Sequence, residues 1–300
     1  MTNHKDKILL LDGATGTELD KRGVDISLPL WSAGALIHAP ETLLRVHCDY
    51  LNAGAYAITA NTFRTNQRAL SKAGLDENAA KQLTLQAVQI AQAARDKCNA
   101  NALVLGSVAP LEDCYRPDLS PDEKTCEAEH GQMIANLLEA EVDLLLIETM
   151  NNLTEAKAAI SQARKQCNSP AKWIVSFCMK SQGSPGELLS GENVIELFDE
   201  FEDAFAVGVN CTAAPETDMH MNYLRKHLPK HIKIAAYANI GSADQQGNWI
   251  STDAIEPQRY AEYAMNWIDS GATIIGGCCG TTPTTIAAIA NRLDAACQAT

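Results

Sequence analysis

Eight short apolar runs recur along the 300-residue chain, each closed by polar or turn-forming residues: ILLLDG, AYAITANT, ALVLGSVAP, DLLLIET, WIVSFC, AFAVGVNC, KIAAYANI and TIIGGCC. Their apolarity is continuous rather than alternating, the pattern of parallel strands buried on both faces. Segments of helical periodicity lie between them, among them ETLLRVHCDYLNAG, NAAKQLTLQAVQIAQAARDKC, CEAEHGQMIANLLEAEV, TEAKAAISQARKQC and PQRYAEYAMNWIDSG. The chain reads strand then helix eight times. Such alternation implies right-handed crossovers, and a count of eight favours closure into a single α/β (β/α)8 TIM-type barrel over an open doubly wound sheet. No linker or low-complexity stretch interrupts it, so residues 1–300 are expected to form one barrel domain.

A barrel brings the C-terminal ends of all eight strands to one rim, where the active sites of such enzymes lie. The strand ends here carry Asp12, Asn61 with Thr62, Ser107, Glu148 with Thr149, Ser176 with Cys178, Asn210 with Cys211, Asn239, and finally Cys278 with Cys279. Residues remote in sequence are thereby expected to share one pocket. Polar residues also cap strands wherever a chain turns to the surface, so some of this set serves the turns alone.

Bulk properties narrow the partners. A composition of 46% apolar residues supports a substantial core. A formal charge of −13 excludes a nucleic-acid backbone as ligand, which needs clustered Lys and Arg. No stretch approaches the ~18 apolar residues of a membrane helix, and the N-terminal apolar run is too short for a secretory signal, so a cytoplasmic protein is expected. Ten cysteines in that compartment are reduced, each a small buried residue, a metal ligand or a nucleophile. Cys98, Cys167 and Cys297 are read as structural.

The pair Cys278–Cys279 sits between glycines in TIIGGCCGTTP. Adjacent cysteines rarely bridge each other, because the short link strains disulfide geometry. With Cys211 at the end of the sixth run, three sulfurs from separate loops meet at one rim, a soft donor set that leaves a tetrahedral Zn²⁺ one open position. Gly276, Gly277 and Gly280 permit backbone torsions that help two consecutive side chains converge. Two other readings fit the spacing: a pair of buried small residues, and a redox pair.

The chain resembles the homocysteine S-methyltransferase family of zinc- and thiol-dependent enzymes. The resemblance rests on LLDGATGTELDKRG (Leu10 to Gly23), LPLWS (Leu28 to Ser32), ANTF (Ala60 to Phe63), IETM (Ile147 to Met150), GVNCT (Gly208 to Thr212) and GGCCGTTP (Gly276 to Pro283), in order over nearly the whole length. It implies that Cys211, Cys278 and Cys279 bind zinc and that the thiol of homocysteine takes the open position. It further implies that Asp12 and Glu148 act at the ammonium group of the amino acid, directly or by positioning neighbours, and that Thr62 lies near the carboxylate. The chemistry is coherent, since a free thiol with a pKa near ~8.5 is mostly protonated at neutral pH and a metal ion shifts that balance.

Among donors, the chain has room for the barrel but not for cobalamin or folate modules, so S-methylmethionine or S-adenosylmethionine is expected to supply the methyl group. Betaine is the alternative, with Trp31, Tyr115, Tyr237 and Trp249 available for cation–π contact with a methylated cation. Two loops depart from the family pattern, GSVAPLEDCYRPDLSPDE after the third run and YANIGSADQQGNW after the seventh, and both are expected to border the pocket mouth. They carry Cys114, whose role stays open; Cys178 is read as a buried strand-end residue. A zinc or thiol redox sensor is the rival of another class, and a Schiff-base lyase would have only Lys180 near a strand end.

Overall fold

A computed structural model describes residues 8–168, 170–243 and 249–298. Its strands are β1 (Leu9–Leu10), β2 (Ala57–Ala60), β3 (Leu103–Val108), β4 (Leu144–Met150), β5 (Trp173–Phe177), β6 (Ala206–Ala213), β7 (Lys233–Asn239), β8 (Gly241–Ala243), β9 (Trp249–Ser251) and β10 (Ile274–Gly277). Eight of them pair in the order β1-β10-β7-β6-β5-β4-β3-β2, all parallel. A parallel bridge between Leu11 and Ala57 joins the two ends, with the Asp12 amide donating to Ala57 at 2.9 Å, and closes the ring. The expected (β/α)8 barrel is the observed fold.

Continuous apolarity has a direct cause. Leu105, Leu144, Leu146, Ile174, Ala235 and Ile274 fill the barrel interior, whereas their alternates Val104, Leu145, Ile147, Val175, Ala236 and Ile275 pack outward under the helices. Both faces of each strand are buried, so both parities must be apolar. The outer helices include α1 (Thr15–Lys21), α2 (Gly34–His38), α3 (Pro40–Asn52), α4 (Gln67–Ser71), α5 (Glu77–Cys98), α6 (Glu123–Glu139), α7 (Leu153–Gln166), α8 (Ala214–His227), α9 (Pro257–Asp269) and α10 (Pro283–Gln298). Side chains of Asn66, Asp76, Asp122 and Asn152 accept backbone N–H bonds at the starts of α4, α5, α6 and α7, satisfying donors that have no partner within the helix.

Two details differ from the sequence reading. After β5 the crossover is a 3-10 helix, Val194–Phe201, rather than an α-helix; the connection first makes bends and bridges between Met179 and Leu188 and between Glu187 and Asn193. After β7 the chain forms the antiparallel hairpin β8–β9, while residues 244–248 of that loop lie outside the described residues. No helix among the described residues is long and apolar enough to cross a membrane. Lys180 is exposed and ion-paired with Glu187 at 2.6 Å, away from the barrel mouth chemistry a Schiff base would need.

Candidate active site

Strand parity carries the barrel interior up to the rim. Thr59, Ser107, Glu148 and Tyr237 are the next inward positions after Ala57, Leu105, Leu146 and Ala235, and all four line one cavity of about 500 Å³. Asp12, Cys211, Cys278 and Cys279 line it too. The three sulfurs lie within 4.8 Å of one another, with Cys211 Sγ and Cys278 Sγ 2.7 Å apart, and form a group that can hold a metal ion.

Cys211 reaches this cavity against strand parity. Ala206 points inward and Val207 and Val209 outward, so a regular β6 would send Cys211 toward the helices. The register shifts between Asn210 and Ala213, and Cys211 adopts φ 50°. That bulge with a left-handed residue re-aims the thiol into the barrel mouth, at a cost in backbone strain. β4 has a matching irregularity between Ile147 and Met150, with Thr149 at φ 61°. The two bulges lock together: the Thr149 amide donates to Asn210 Oδ1 at 2.9 Å, Asn210 Nδ2 donates to Thr149 Oγ1 at 2.8 Å, and Ser176 Oγ donates to Asn210 Oδ1 at 2.9 Å.

The cysteine pair is held from β7. Asn239 Nδ2 donates to the Cys211 carbonyl at 2.9 Å while its Oδ1 accepts from the Cys279 amide at 2.9 Å. One amide side chain thus ties the sixth-strand sulfur to the eighth-strand pair. The Cys278 amide donates to Ala238 O at 2.8 Å, and Thr281 Oγ1 donates to Cys278 O at 2.7 Å. Of the glycines around the pair, Gly280 uses a left-handed torsion (φ 84°). Gly277 is needed for space instead, since a Cβ there would lie 2.3 Å from Thr281 Oγ1.

Charge on the trio is shared unequally. Hydrogen bonds from Cys211 and Cys278 hold the Cys279 thiol well below its ordinary range, burial opposing them and the Tyr115 hydroxyl assisting. Hydrogen bonds with Cys278 and Cys279, and then burial, push Cys211 up. Both acids are shifted upward. Burial raises Asp12 to about 8, although its oxygens accept from the Thr59 amide at 2.8 Å and the Thr59 hydroxyl at 3.1 Å. Burial, with the nearby Cys279 adding to it, raises Glu148 to about 7 despite a 2.5 Å bond from Ser107 Oγ. Buried carboxyls beside electron-rich sulfurs form a site whose electrostatics favour a cation.

Thr62 is placed differently. Its hydroxyl donates to Ser107 O at 2.9 Å, its amide donates to Ala60 O at 2.6 Å, and it does not line the cavity. Its neighbours Asn61, Phe63 and Arg64 do. Cys178 is buried, its thiol donating to the Cys211 carbonyl at 3.5 Å, outside the sulfur trio. Cys114 lines the cavity, and burial raises its thiol to about 12, far from a reactive thiolate. The side chain of Cys297 lies outside the described residues.

The mouth is aromatic. Trp31, held at φ 47°, meets Phe63 edge-on with ring centroids 5.4 Å apart. Tyr115 and Trp249, 44% and 45% exposed, bring the two divergent loops to the same opening. Tyr115 and its loop are fastened from below by groups that sequence reasoning passed over. Glu155 in the first turn of α7, 1% exposed, accepts from the Leu111 amide at 2.7 Å and from Ser120 Oγ at 2.7 Å, and pairs with His130 at 3.2 Å. Asn151 Nδ2 donates to Cys114 O at 2.9 Å. Thr59, which anchors Asp12, was visible by counting parity from Ala57; Glu155 had no such signal, since an acid in a first helical turn usually faces water.

The homocysteine S-methyltransferase family model matches residues 9–293. A homocysteine S-methyltransferase of Escherichia coli (strain K12) is 32% identical over 301 residues, covering 96% of each chain. The homocysteine S-methyltransferase YbgG of Bacillus subtilis (strain 168) is 31% identical, covering 94% of this chain and 93% of its own. The metallated crystal form of the homocysteine methyltransferase MmuM from Escherichia coli superposes with a TM-score of 0.81 at 31% identity, over 95% of this chain and 96% of that one. With the barrel, the rim and the sulfur trio agreeing with a match along the whole chain, the protein belongs to the homocysteine S-methyltransferase family.

Proposed function

We propose that residues 1–300 work as one barrel domain in the cytoplasm, transferring a methyl group from a sulfonium donor to the thiol of homocysteine and forming methionine. S-methylmethionine is the preferred donor and S-adenosylmethionine a slower one. Zn²⁺ is held by Cys211, Cys278 and Cys279. The carrying observation is the convergence of those three sulfurs with Asp12 and Glu148 on one cavity.

The residues present fit the ion. The three sulfurs lie within 4.8 Å of one another, close enough for all three to reach one ion. All donors are sulfur, the set that suits zinc. Bound there, zinc supplies a Lewis acid that holds a ligand thiol as thiolate at neutral pH.

The chain's own residues do the rest. Asp12 and Glu148 receive the homocysteine ammonium, whose positive charge relieves the burial that raises both carboxyls. Thr62 acts through Asn61 and Phe63, fixing the wall beside the amino-acid carboxylate. Transfer forms the bond from the homocysteine sulfur to the methyl carbon and breaks the donor's S–CH₃ bond. Its electron pair remains on the departing sulfur, now a neutral thioether, and the acceptor's thiol proton is lost to solvent. The aromatic mouth excludes water and faces the sulfonium with π surfaces. Orientation and electrostatics are the protein's main contributions to such an in-line displacement.

The test presents homocysteine with S-methylmethionine, S-adenosylmethionine, betaine and methyltetrahydrofolate separately and follows labelled methyl into methionine. Transfer from betaine alone overturns the sulfonium reading. X-ray absorption of the zinc-loaded protein checks the metal: addition of homocysteine is expected to raise its sulfur ligands from three to four. A count unchanged at three overturns the acceptor assignment and leaves the sensor reading standing.

A further inference from the structure

Arg64 lines the cavity, yet none of the chemistry above uses it. Its Nη1 donates to the Glu112 carbonyl at 2.9 Å, and its Nε is buried with no hydrogen-bond partner. The nearby carboxylate of Glu112 is taken by Arg68 at 3.5 Å and by Lys72. Among the described residues Arg64 has no ion-pair partner. A guanidinium never loses its charge, and this one, on the cavity wall with a neutral carbonyl as its hydrogen-bond partner, is placed to meet an anion that the protein itself does not supply.

The loop holds it there. Asn61 Nδ2 donates to Ser32 O at 2.8 Å, Thr65 donates through both its amide and its hydroxyl to Thr62 O at 3.2 Å, and Asn66 caps α4. With Thr62 and Thr65 buried on either side, the half-buried Phe63 and Arg64 are the residues turned to the cavity. The guanidinium carbon lies 5.8 Å from the Phe63 ring centroid, and Phe63 packs on Trp31.

Position separates this cation from the floor of the site. Asp12, Glu148 and Cys211 are each less than 9% exposed on strand ends. Arg64 lines the same cavity but is only half-buried, and it lies over Phe63, which packs on Trp31. Homocysteine with its sulfur at the trio and its ammonium at the acids fills the floor. The donor must then approach the acceptor sulfur from the mouth, with its sulfonium inward and its tail among the aromatic side chains. We propose that Arg64 anchors the carboxylate of the methyl donor, so that the mouth selects sulfonium donors with a carboxylate-bearing tail over donors that have none. The assignment rests on the sulfonium reading of the preceding subsection.

The experiment compares wild type, R64Q and R64K at saturating homocysteine, with S-methylmethionine and with trimethylsulfonium as a tail-less donor, and measures homocysteine Kd by calorimetry. R64Q is expected to raise the KM for S-methylmethionine about 10- to 100-fold, the effect of one charge-assisted hydrogen-bonded contact. It leaves kcat/KM for trimethylsulfonium and the homocysteine Kd unchanged. R64K recovers part of the loss, because it keeps the charge without the planar fork. Equal losses for both donors overturn the assignment in favour of a structural role for Arg64, and a matching loss of homocysteine affinity moves the contact to the acceptor. An active wild type with an unaffected R64Q overturns this inference alone, whereas a wild type inactive with both donors overturns the sulfonium reading and this inference with it.

Discussion

The floor and the mouth of the cavity are built on different principles. At the floor, Asp12, Glu148 and Cys211 are 3%, 8% and 7% exposed, and each is gripped by strand-end neighbours: Thr59, Ser107, and the Asn210–Thr149 and Asn239 bridges. At the mouth, Tyr115 and Trp249 are 44% and 45% exposed and come from loops of this chain that depart from the pattern it otherwise resembles. On the proposed function, groups that must meet reacting atoms closely sit on the rigid barrel and groups that choose among donors sit on loops. The contrast predicts that floor substitutions abolish or weaken thiol chemistry whatever the donor, while mouth substitutions discriminate between donors.

The largest expected effect is at the sulfurs. Cys211→Ser should lose the metal, measured by elemental analysis of the purified protein, and lower kcat/KM by about 1000-fold or more for every donor. The fold should survive, with circular dichroism unchanged, because a core of this size does not depend on a metal staple. Retained stoichiometric zinc in this variant would break the floor assignment. One step back, Asn239→Ala removes the bridge between Cys211 and Cys279 and should weaken metal affinity about 10- to 100-fold. A chelator competition measures it.

Glu148→Gln should weaken homocysteine binding by about 1.5 to 3 kcal/mol, read by calorimetry. The same change should stabilise the metal-free protein. Folding raises the Glu148 carboxyl from 4.5 to about 7, so between those values the native state holds more protons than the unfolded chain. Stability therefore falls as pH rises across that window, and Asp12 extends the fall toward pH 8. Removing the Glu148 charge should flatten part of this slope and raise stability at pH 8 by roughly 1 to 3 kcal/mol. Denaturant midpoints at pH 5 and pH 8 check the sign; a wild-type midpoint that climbs with pH would contradict it.

The smallest effect is at the mouth. Trp31→Leu should raise the KM for a sulfonium donor by about 3- to 10-fold through lost cation–π contact. Homocysteine affinity should stay unchanged, and equal losses for donor and acceptor would erase the distinction between the two regions.

Much of this architecture was legible in the amino-acid order. Both faces of a barrel strand are buried, so eight continuous apolar runs announce eight parallel strands, and the residues that end them announce the rim. Asp12, Glu148, Cys211, Cys278 and Cys279 could be picked out that way and stand together on the cavity. Thr62 could be picked out too, but its hydroxyl is spent on Ser107 O, because a one-residue step along the wall changes which side chain faces inward. A helix after β5 was expected from the strand-then-helix alternation alone, which says nothing of helix type, and the segment there is the 3-10 helix Val194–Phe201.

What the sequence determined by itself is whatever depends on local period: strand and helix alternation, barrel class and the identity of the rim residues. What only the tertiary structure decided is direction and pairing. Parity alone would have aimed Cys211 at the helices, and it is the bulge at φ 50°, locked by Asn210 against Thr149 from a strand 61 residues away, that turns its thiol inward. Glu155 reads as a solvent-facing helix start until the loop after β3 folds over it. Arg64 reads as one more surface cation until the Glu112 carboxylate beside it proves to be taken by Arg68 and Lys72. In each case the deciding partner is distant in sequence, and a buried polar group takes its role from the donor or acceptor that tertiary packing brings to it.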